Sequence, residues 1–161
     1  MKILFATDHA GYDLKEQLKP FVVSLGYEVV DKGAFEYNEL DDYPDFIAMA
    51  AKAVSKAPDK TRAIILGGSG QGEAIVANRF PNVRAMVYNG ESRGALYNDL
   101  DEITLSRQHN DANVLSLGAR FMTFDEAKDA VKRWLETPFS GDARHLRRIK
   151  KIEKVNKATR E

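Results

Sequence analysis

A carboxylate set directly against a glycine-rich turn is the most chemically suggestive feature of the sequence. Gly67-Gly68-Ser69-Gly70-Gln71-Gly72 holds four glycines in six residues and is followed at once by Glu73. The turn is entered from the apolar run Ala63-Ile64-Ile65-Leu66 and left through Ala74, Ile75, Val76 and Ala77, so it reads as strand, glycine loop, helix. Glycines let the backbone take positive φ and approach a ligand closely, and the start of the helix offers unpaired N–H groups at a positive dipole end. Such a loop suits negative charge, and a plain phosphate cradle has no use for Glu73. A base beside an anion hole suits proton abstraction instead. The common phosphate loops fail here. From Gly68, a dinucleotide fingerprint needs glycine where Glu73 stands; from Gly67, a triphosphate loop needs Gly-Lys-Ser/Thr where Gly72-Glu73-Ala74 stands. The bland alternatives are a ligand-free turn, and a glutamate that only complements a helix dipole for ~0.3–1 kcal/mol.

The three histidines fall in polar contexts: His9 follows Asp8 at a strand end, His109 precedes Asn110-Asp111, and His145 lies among arginines. Each is a candidate acid–base group or a surface residue. None is spaced from another as His-x-x-x-His, and nothing else resembles a metal centre, so no metal is expected. Arg144 and Arg148 lie four apart with His145 and Arg147 beside them. Two guanidinium forks on one helical face suit a phosphate; the same pattern serves a solvated face or a nucleic-acid patch.

The elements that must position these groups alternate. Strands are expected at Lys2–Thr7, Glu28–Val30, Ala63–Leu66, Val83–Tyr88 and Asn113–Leu117. Helices are expected at Tyr12–Gly26, Tyr43–Ala57, Glu73–Arg79, Phe124–Leu135 and, as one long basic helix, about 142–157. Asp8–Gly11 reads as a turn and Asp31–Asp42 as a loop. Glu91–Asp99 is compatible with a helix, and Asp99–Ile103 reads as an excursion before Leu105–Asn110. Alternation throughout implies an α/β fold, a Rossmann-like three-layer sandwich on a five-stranded parallel sheet, in one domain over 1–161. Ligands of such sheets sit at the carboxyl ends of strands, where Asp8, His9 and the glycine loop fall.

The bulk numbers exclude several classes. At 161 residues, 43% hydrophobic and 30% charged, the chain can bury an ordinary core. Lys plus Arg equal Asp plus Glu at 24 each, so nothing in the balance demands nucleic acid or a membrane. No leader or spanning segment is evident, which points to a cytoplasmic protein. The absence of cysteine removes thiolate nucleophiles, thiolate metal sites and disulfides together.

Taken together, the motifs resemble the type B ribose-5-phosphate isomerase family, which includes the galactose-6-phosphate isomerase subunits. The likeness runs over nearly the whole chain: DHAGYDLK after the first strand, DYP before the second helix, GGSGQGEAIVANR, SRQHNDANVLSLGAR, and GDARHLRRI near the end. It implies aldose–ketose isomerisation of a small sugar phosphate without metal or cofactor, with ribose 5-phosphate the leading substrate. Allose 6-phosphate, galactose 6-phosphate and erythrulose 4-phosphate are alternatives. Many members carry a cysteine base where this chain has Gly67, and Glu73 matches the branch that uses a glutamate instead. The resemblance further implies that Ser69 relays protons, that Gly68, Gly70 and Gly72 line the substrate, and that His109 opens the sugar ring. Asp8, Tyr43 and Asn110 would bind hydroxyls, His9, Arg144 and Arg148 the phosphate, and Arg120 the substrate. It implies a homodimer or tetramer whose C-terminal helix packs on the partner, with His109, Asn110 and Arg120 coming from the subunit opposite Glu73. The segment around Tyr97–Thr104 looks longer than in other members. Readings from other classes are a non-catalytic sugar-phosphate or nucleotide-binding module, and a nucleic-acid binder using the basic helix.

Overall fold

Continuous burial along the central strands explains the layering. In the computed structural model, which describes residues 1–90 and 101–158, Ile64 and Leu66 of β3 (Thr61–Gly67) face one way and Ala63 and Ile65 the other, all fully buried. A strand buried on both faces needs cover on both. The cover on one side is α1 (Tyr12–Ser24), α4 (Glu102–Asn110) and α5 (Phe124–Glu136), whose Leu14, Leu18, Ile103, Val131 and Trp134 join Ile3, Phe5, Ile64 and Leu66. The other is α2 (Tyr43–Lys56) and α3 (Gln71–Ala77), through Ile47, Ala50, Val54 and Ala77.

The sheet is wholly parallel, in the order β2-β1-β3-β5-β4, with β1 at Lys2–Thr7, β2 at Glu28–Asp31, β4 at Ala85–Tyr88 and β5 at Val114–Gly118. A last helix, α6 (Ala143–Ala158), follows. This is the α/β, Rossmann-like architecture expected, and α6 matches the long basic helix.

Several boundaries differ for local reasons. The fourth strand starts at Ala85, not Val83, because Asn82 turns at φ 62° and the N–H of Arg84 is taken by the Asn113 side chain at 2.8 Å. The third helix starts two residues earlier than Glu73, with Gly70 as its left-handed N-cap at φ 73°. The stretch read as an excursion, Asp99–Ile103, leads into α4, which starts at Glu102. Asp101 caps it by accepting from Ile103 N at 3.0 Å and Thr104 N at 3.2 Å, a device worth about 1 kcal/mol. Its fully buried residues are Ile103 and Arg107, so no apolar stripe marks it. The helix considered at Glu91–Asp99, and residues 97–100 of the segment that looks longer, lie outside the described residues.

Candidate active site

Parallel register brings the first half of the site together. Thr7 of β1 pairs with Leu66 of β3, so Asp8 and Gly67 leave the sheet side by side at its carboxyl edge. The Thr7 hydroxyl donates to the carbonyls of Leu66 (3.0 Å) and Asp8 (2.9 Å), tying the two strand ends together. Asp8 caps one turn of 3-10 helix (His9–Gly11) by accepting from Ala10 N at 3.0 Å, which fixes its carboxylate beneath the loop. A Cβ on Gly11 would overlap Thr7 Oγ1, so only glycine lets this turn lie so close.

Glu73 projects from the first turn of α3 back over the end of β3. Its side chain is buried, and a Cβ on Gly67 would overlap its carboxyl oxygen Oε1. Burial pushes its pKa above the ordinary glutamate value; its own backbone N–H draws it down, and the neighbouring Asp8 pushes it further up. Asp8 is raised too, first by burial, with Ala10 N–H and His9 opposing and Asp41 reinforcing. A carboxylate with raised pKa beside a loop of backbone N–H groups can take a proton from carbon near neutral pH.

The loop is braced around it. Ser116 Oγ donates to the Gly70 carbonyl at 2.6 Å, and the Ser69 hydroxyl accepts a long contact from Gln71 N at 3.4 Å. Tyr43, at the start of α2, lies over Gly72, where a Cβ would sit 2.7 Å from its hydroxyl. The Arg120 guanidinium lies over Gly68, 3.2 Å from where a Cβ would be, and Arg120 N donates to the Gly68 carbonyl at 3.2 Å. Arg120 thus serves the glycine loop of its own chain, which corrects the expectation that it comes from the opposite subunit. The physical reason is that β5 pairs with β3, with Gly118 beside Gly67.

His9 stands at the rim of this group. Its backbone N–H donates to Asp41 Oδ1 at 2.9 Å, and its Nδ1 contacts the same oxygen at 2.8 Å. Reading the sequence missed Asp41, although it stands two residues before Tyr43 in the DDYP run. The ligand atoms of Asp8, His9 and Asp41 lie within 4.8 Å of one another, and among the described residues this is the one cluster whose donor set could hold a cation.

The remaining expected site residues form a second group elsewhere. His109 and Asn110 end α4, which runs into the start of β5, and Val114 there pairs with Ala63, four residues before Gly67. The two groups are therefore separated by at least roughly 13 Å along the strand direction. His109 stacks on His145 of α6, with ring centroids 4.2 Å apart and planes 12° apart. His145 is buried, and its pKa is lowered first by that burial, then by His109 and Arg144. Arg144 Nε donates to His145 Nε2 at 3.2 Å, which makes His145 an acceptor at that atom. Arg148 lies one turn on, exposed. Arg84 clamps the corner, donating to the Asn110 carbonyl at 3.0 Å and to Asp111 Oδ2 at 2.8 Å. One chain thus holds the buried Glu73 carboxylate with its loop at one sheet edge, and two histidines with two arginines towards the other.

Comparison with known proteins decides the family. Residues 3–152 match the family described as Ribose/Galactose Isomerase. The chain belongs to the ribose/galactose isomerase family. It is 38% identical over 149 residues to ribose-5-phosphate isomerase B of Mycolicibacterium paratuberculosis, covering 92% of this chain and 87% of that one. To the Escherichia coli protein of the same name it is 37% identical, covering 96% and 95%. Among solved structures, ribose-5-phosphate isomerase B from Mycoplasma genitalium with bound ribulose-5-phosphate superimposes with a TM-score of 0.88 at 36% identity, covering 97% of this chain and 96% of that one. The Clostridium thermocellum ribose-5-phosphate isomerase B gives 0.87 at 40% identity, covering 99% of each. As a ribose/galactose isomerase, the chain is an aldose–ketose isomerase acting on a sugar phosphate. No helix among the described residues is long and apolar enough to cross a membrane.

Proposed function

We propose that the chain interconverts ribose 5-phosphate and ribulose 5-phosphate, with Glu73 as the base that carries the proton. The observation that carries this reading is the buried Glu73 carboxylate, raised in pKa, lying against the glycine loop in a chain that superimposes on an isomerase solved with ribulose-5-phosphate. Glu73 takes the proton from C2 of the open-chain aldose; the electron pair moves to O1 and leaves a cis-enediolate. Backbone N–H groups of Gly70–Gly72 hold the developing oxyanion, a contact worth ~3 kcal/mol of barrier. Ser69 passes the hydroxyl proton between O2 and O1, and Glu73 returns its proton to C1. No metal or cofactor takes part.

The two groups of residues join when a second copy brings its sheet edge to the first. His109 then opens the ring by moving a proton between the ring oxygen and the anomeric hydroxyl. Asp8, Tyr43 and Asn110 bind hydroxyls, while His9, Arg144 and Arg148 take the phosphate and Arg120 reaches substrate from the glycine loop. Supporting a dimer, α6 exposes Leu146 and Ile152, and Ile75 stands exposed beside a groove lined by Gln71, Ala74, Asn78 and Val87. An amphipathic helix from a partner suits that groove.

The test is an isomerisation assay over ribose 5-phosphate, allose 6-phosphate, galactose 6-phosphate and erythrulose 4-phosphate. The highest kcat/KM is expected for ribose 5-phosphate, and Glu73→Gln should abolish exchange of the transferred proton with solvent. A higher value for a six-carbon phosphate would reassign the substrate, and retained exchange would remove Glu73 as base.

A further inference from the structure

His9 presents an unusual pairing. Both of its inward polar atoms, the backbone N–H and ring Nδ1, meet a single oxygen, Asp41 Oδ1, at 2.9 and 2.8 Å. The Asp41 side chain is only 7% exposed, and its other oxygen, Oδ2, is buried with no hydrogen-bond partner. An orphaned carboxylate oxygen costs stability, so a shell built for stability alone would not keep it. The charge of Asp41 is spent on His9. Tyr37 stands edge-on to the same ring, 6.3 Å away, and limits its rotation from another side. With Nδ1 held inward, the geometry of an imidazole turns Nε2 outward, and Nε2 meets no partner among the described residues.

The surroundings explain why the ring needs fixing. Asp8, Asp41 and Glu73 put three carboxylates into this corner, and Asp8 acts electrostatically on both Glu73 and His9. A dianionic phosphate entering it would be repelled unless a donor of fixed direction met it first.

We propose that Asp41 is a positioning residue for the isomerase reaction. It fixes the direction of the His9 ring through Nδ1, so that Nε2 is aimed at the substrate phosphate. The proposal rests on the reading of His9 as a phosphate ligand. Asp41 touches no substrate atom; it acts through the ring. A neutral amide at 41 keeps an acceptor for both His9 groups, whereas alanine keeps none.

The experiment is a double-mutant cycle on KM and kcat with ribose 5-phosphate, using Asp41→Ala, Asp41→Asn, His9→Ala and the double variant Asp41→Ala/His9→Ala. Asp41→Ala should raise KM about tenfold or more, the scale of a weakened charge-assisted contact, with kcat changed far less. Asp41→Asn should recover most of that loss. In the His9→Ala background, Asp41→Ala should add nothing further. Additive effects of the two changes, or no recovery with asparagine, would overturn the positioning role alone. An unchanged KM in His9→Ala would overturn the phosphate assignment of His9 and this proposal with it. Histidine nitrogen NMR supplies the readout that a mere loop support would not move: a hydrogen-bonded Nδ1 on His9 in the parent, and loss of that hydrogen bond in Asp41→Ala.

Discussion

The carboxyl group of Glu73 fills the space that any side chain on Gly67 would need, since a Cβ there would overlap Oε1 and Cδ. The two positions are alternatives: where one carries a functional side chain, the other must yield. Gly67→Ala should therefore displace the Glu73 carboxyl and lower kcat about 100-fold, the scale of a misplacement near 1 Å. Steady-state kinetics of Gly67→Ala, Glu73→Ala and the double variant check this. The double variant should be no slower than Glu73→Ala, because the alanine at 67 acts only through Glu73. Equal multiplicative losses would show that the residues act independently.

As the proposed base, Glu73, whose pKa is raised first by burial and further by Asp8, should set the acid side of the pH profile. A base must be ionised, so kcat/KM should fall as pH drops through a value above the ordinary glutamate range. Glu73→Gln should remove that limb together with roughly 100- to 10,000-fold of the rate. Its effect on stability has the opposite sign. A carboxyl with a raised folded-state pKa binds its proton more tightly in the fold than in the unfolded chain, so ionisation penalises the fold as pH rises past the unfolded value. Glu73→Gln should melt higher than the parent at neutral pH, and the gap should close in acid, where Glu73 is protonated. Thermal melts across pH read this directly.

The Asp8, His9 and Asp41 cluster supplies a donor set that a divalent ion could use, yet His9 Nδ1 and Asp41 Oδ1 already spend those atoms on each other at 2.8 Å. Dialysis against a chelator should leave kcat and KM unchanged, and added zinc should inhibit by breaking that pair. A chelator-induced loss restored by a divalent ion would make the cluster a metal centre.

How far the sequence could be read depended on whether one pattern dominated locally. The run from Ala63 to Ala77 was plain because an apolar strand, a glycine loop and a helix follow one another without conflict. Helix α4 was hidden because burial there rests on Ile103 and an arginine, and an apolar-periodicity reading passes over Arg107. Among site residues, the histidines and arginines stood out by type. Asp41 did not, because an aspartate in an acidic loop looks like solvent-facing turn chemistry until His9, 32 residues earlier, is folded against it. The subunit that supplies Arg120 turned on which strands neighbour each other, and strand order is not written in local periodicity.

Arg107 makes that hidden helix structurally consequential. It is 2% exposed and donates to the Thr137 carbonyl at 3.2 Å, the Ala112 carbonyl at 2.6 Å and Asp111 Oδ1 at 2.8 Å, while its guanidinium lies 5.9 Å from the Trp134 ring. Removing one partner of such a buried network leaves the rest unpaired. Arg107→Ala should destabilise by about 3–5 kcal/mol, measured by urea unfolding. Because Asp111 follows Asn110 directly, the same variant should lower activity even in its folded fraction.

The two half-sites at opposite sheet edges make a strong prediction about mixtures. A subunit carrying Glu73→Gln keeps its His109 group intact, and one carrying His109→Ala keeps its glycine loop and base. In the proposed dimer, each homodimer of one variant has two defective sites. A heterodimer has one site with both defects and one with neither. Unfolding and refolding an equal mixture should yield heterodimers as half of the population, so activity should return to about a quarter of the parent value under statistical pairing. Rates measured before and after co-refolding check this, with singly refolded variants as the baseline. Recovery to that level requires that Glu73 of one copy work with His109 of another. A mixture that stays at the mean of its components would place both groups in separate roles, because the distance along the sheet gives one chain no means of joining them.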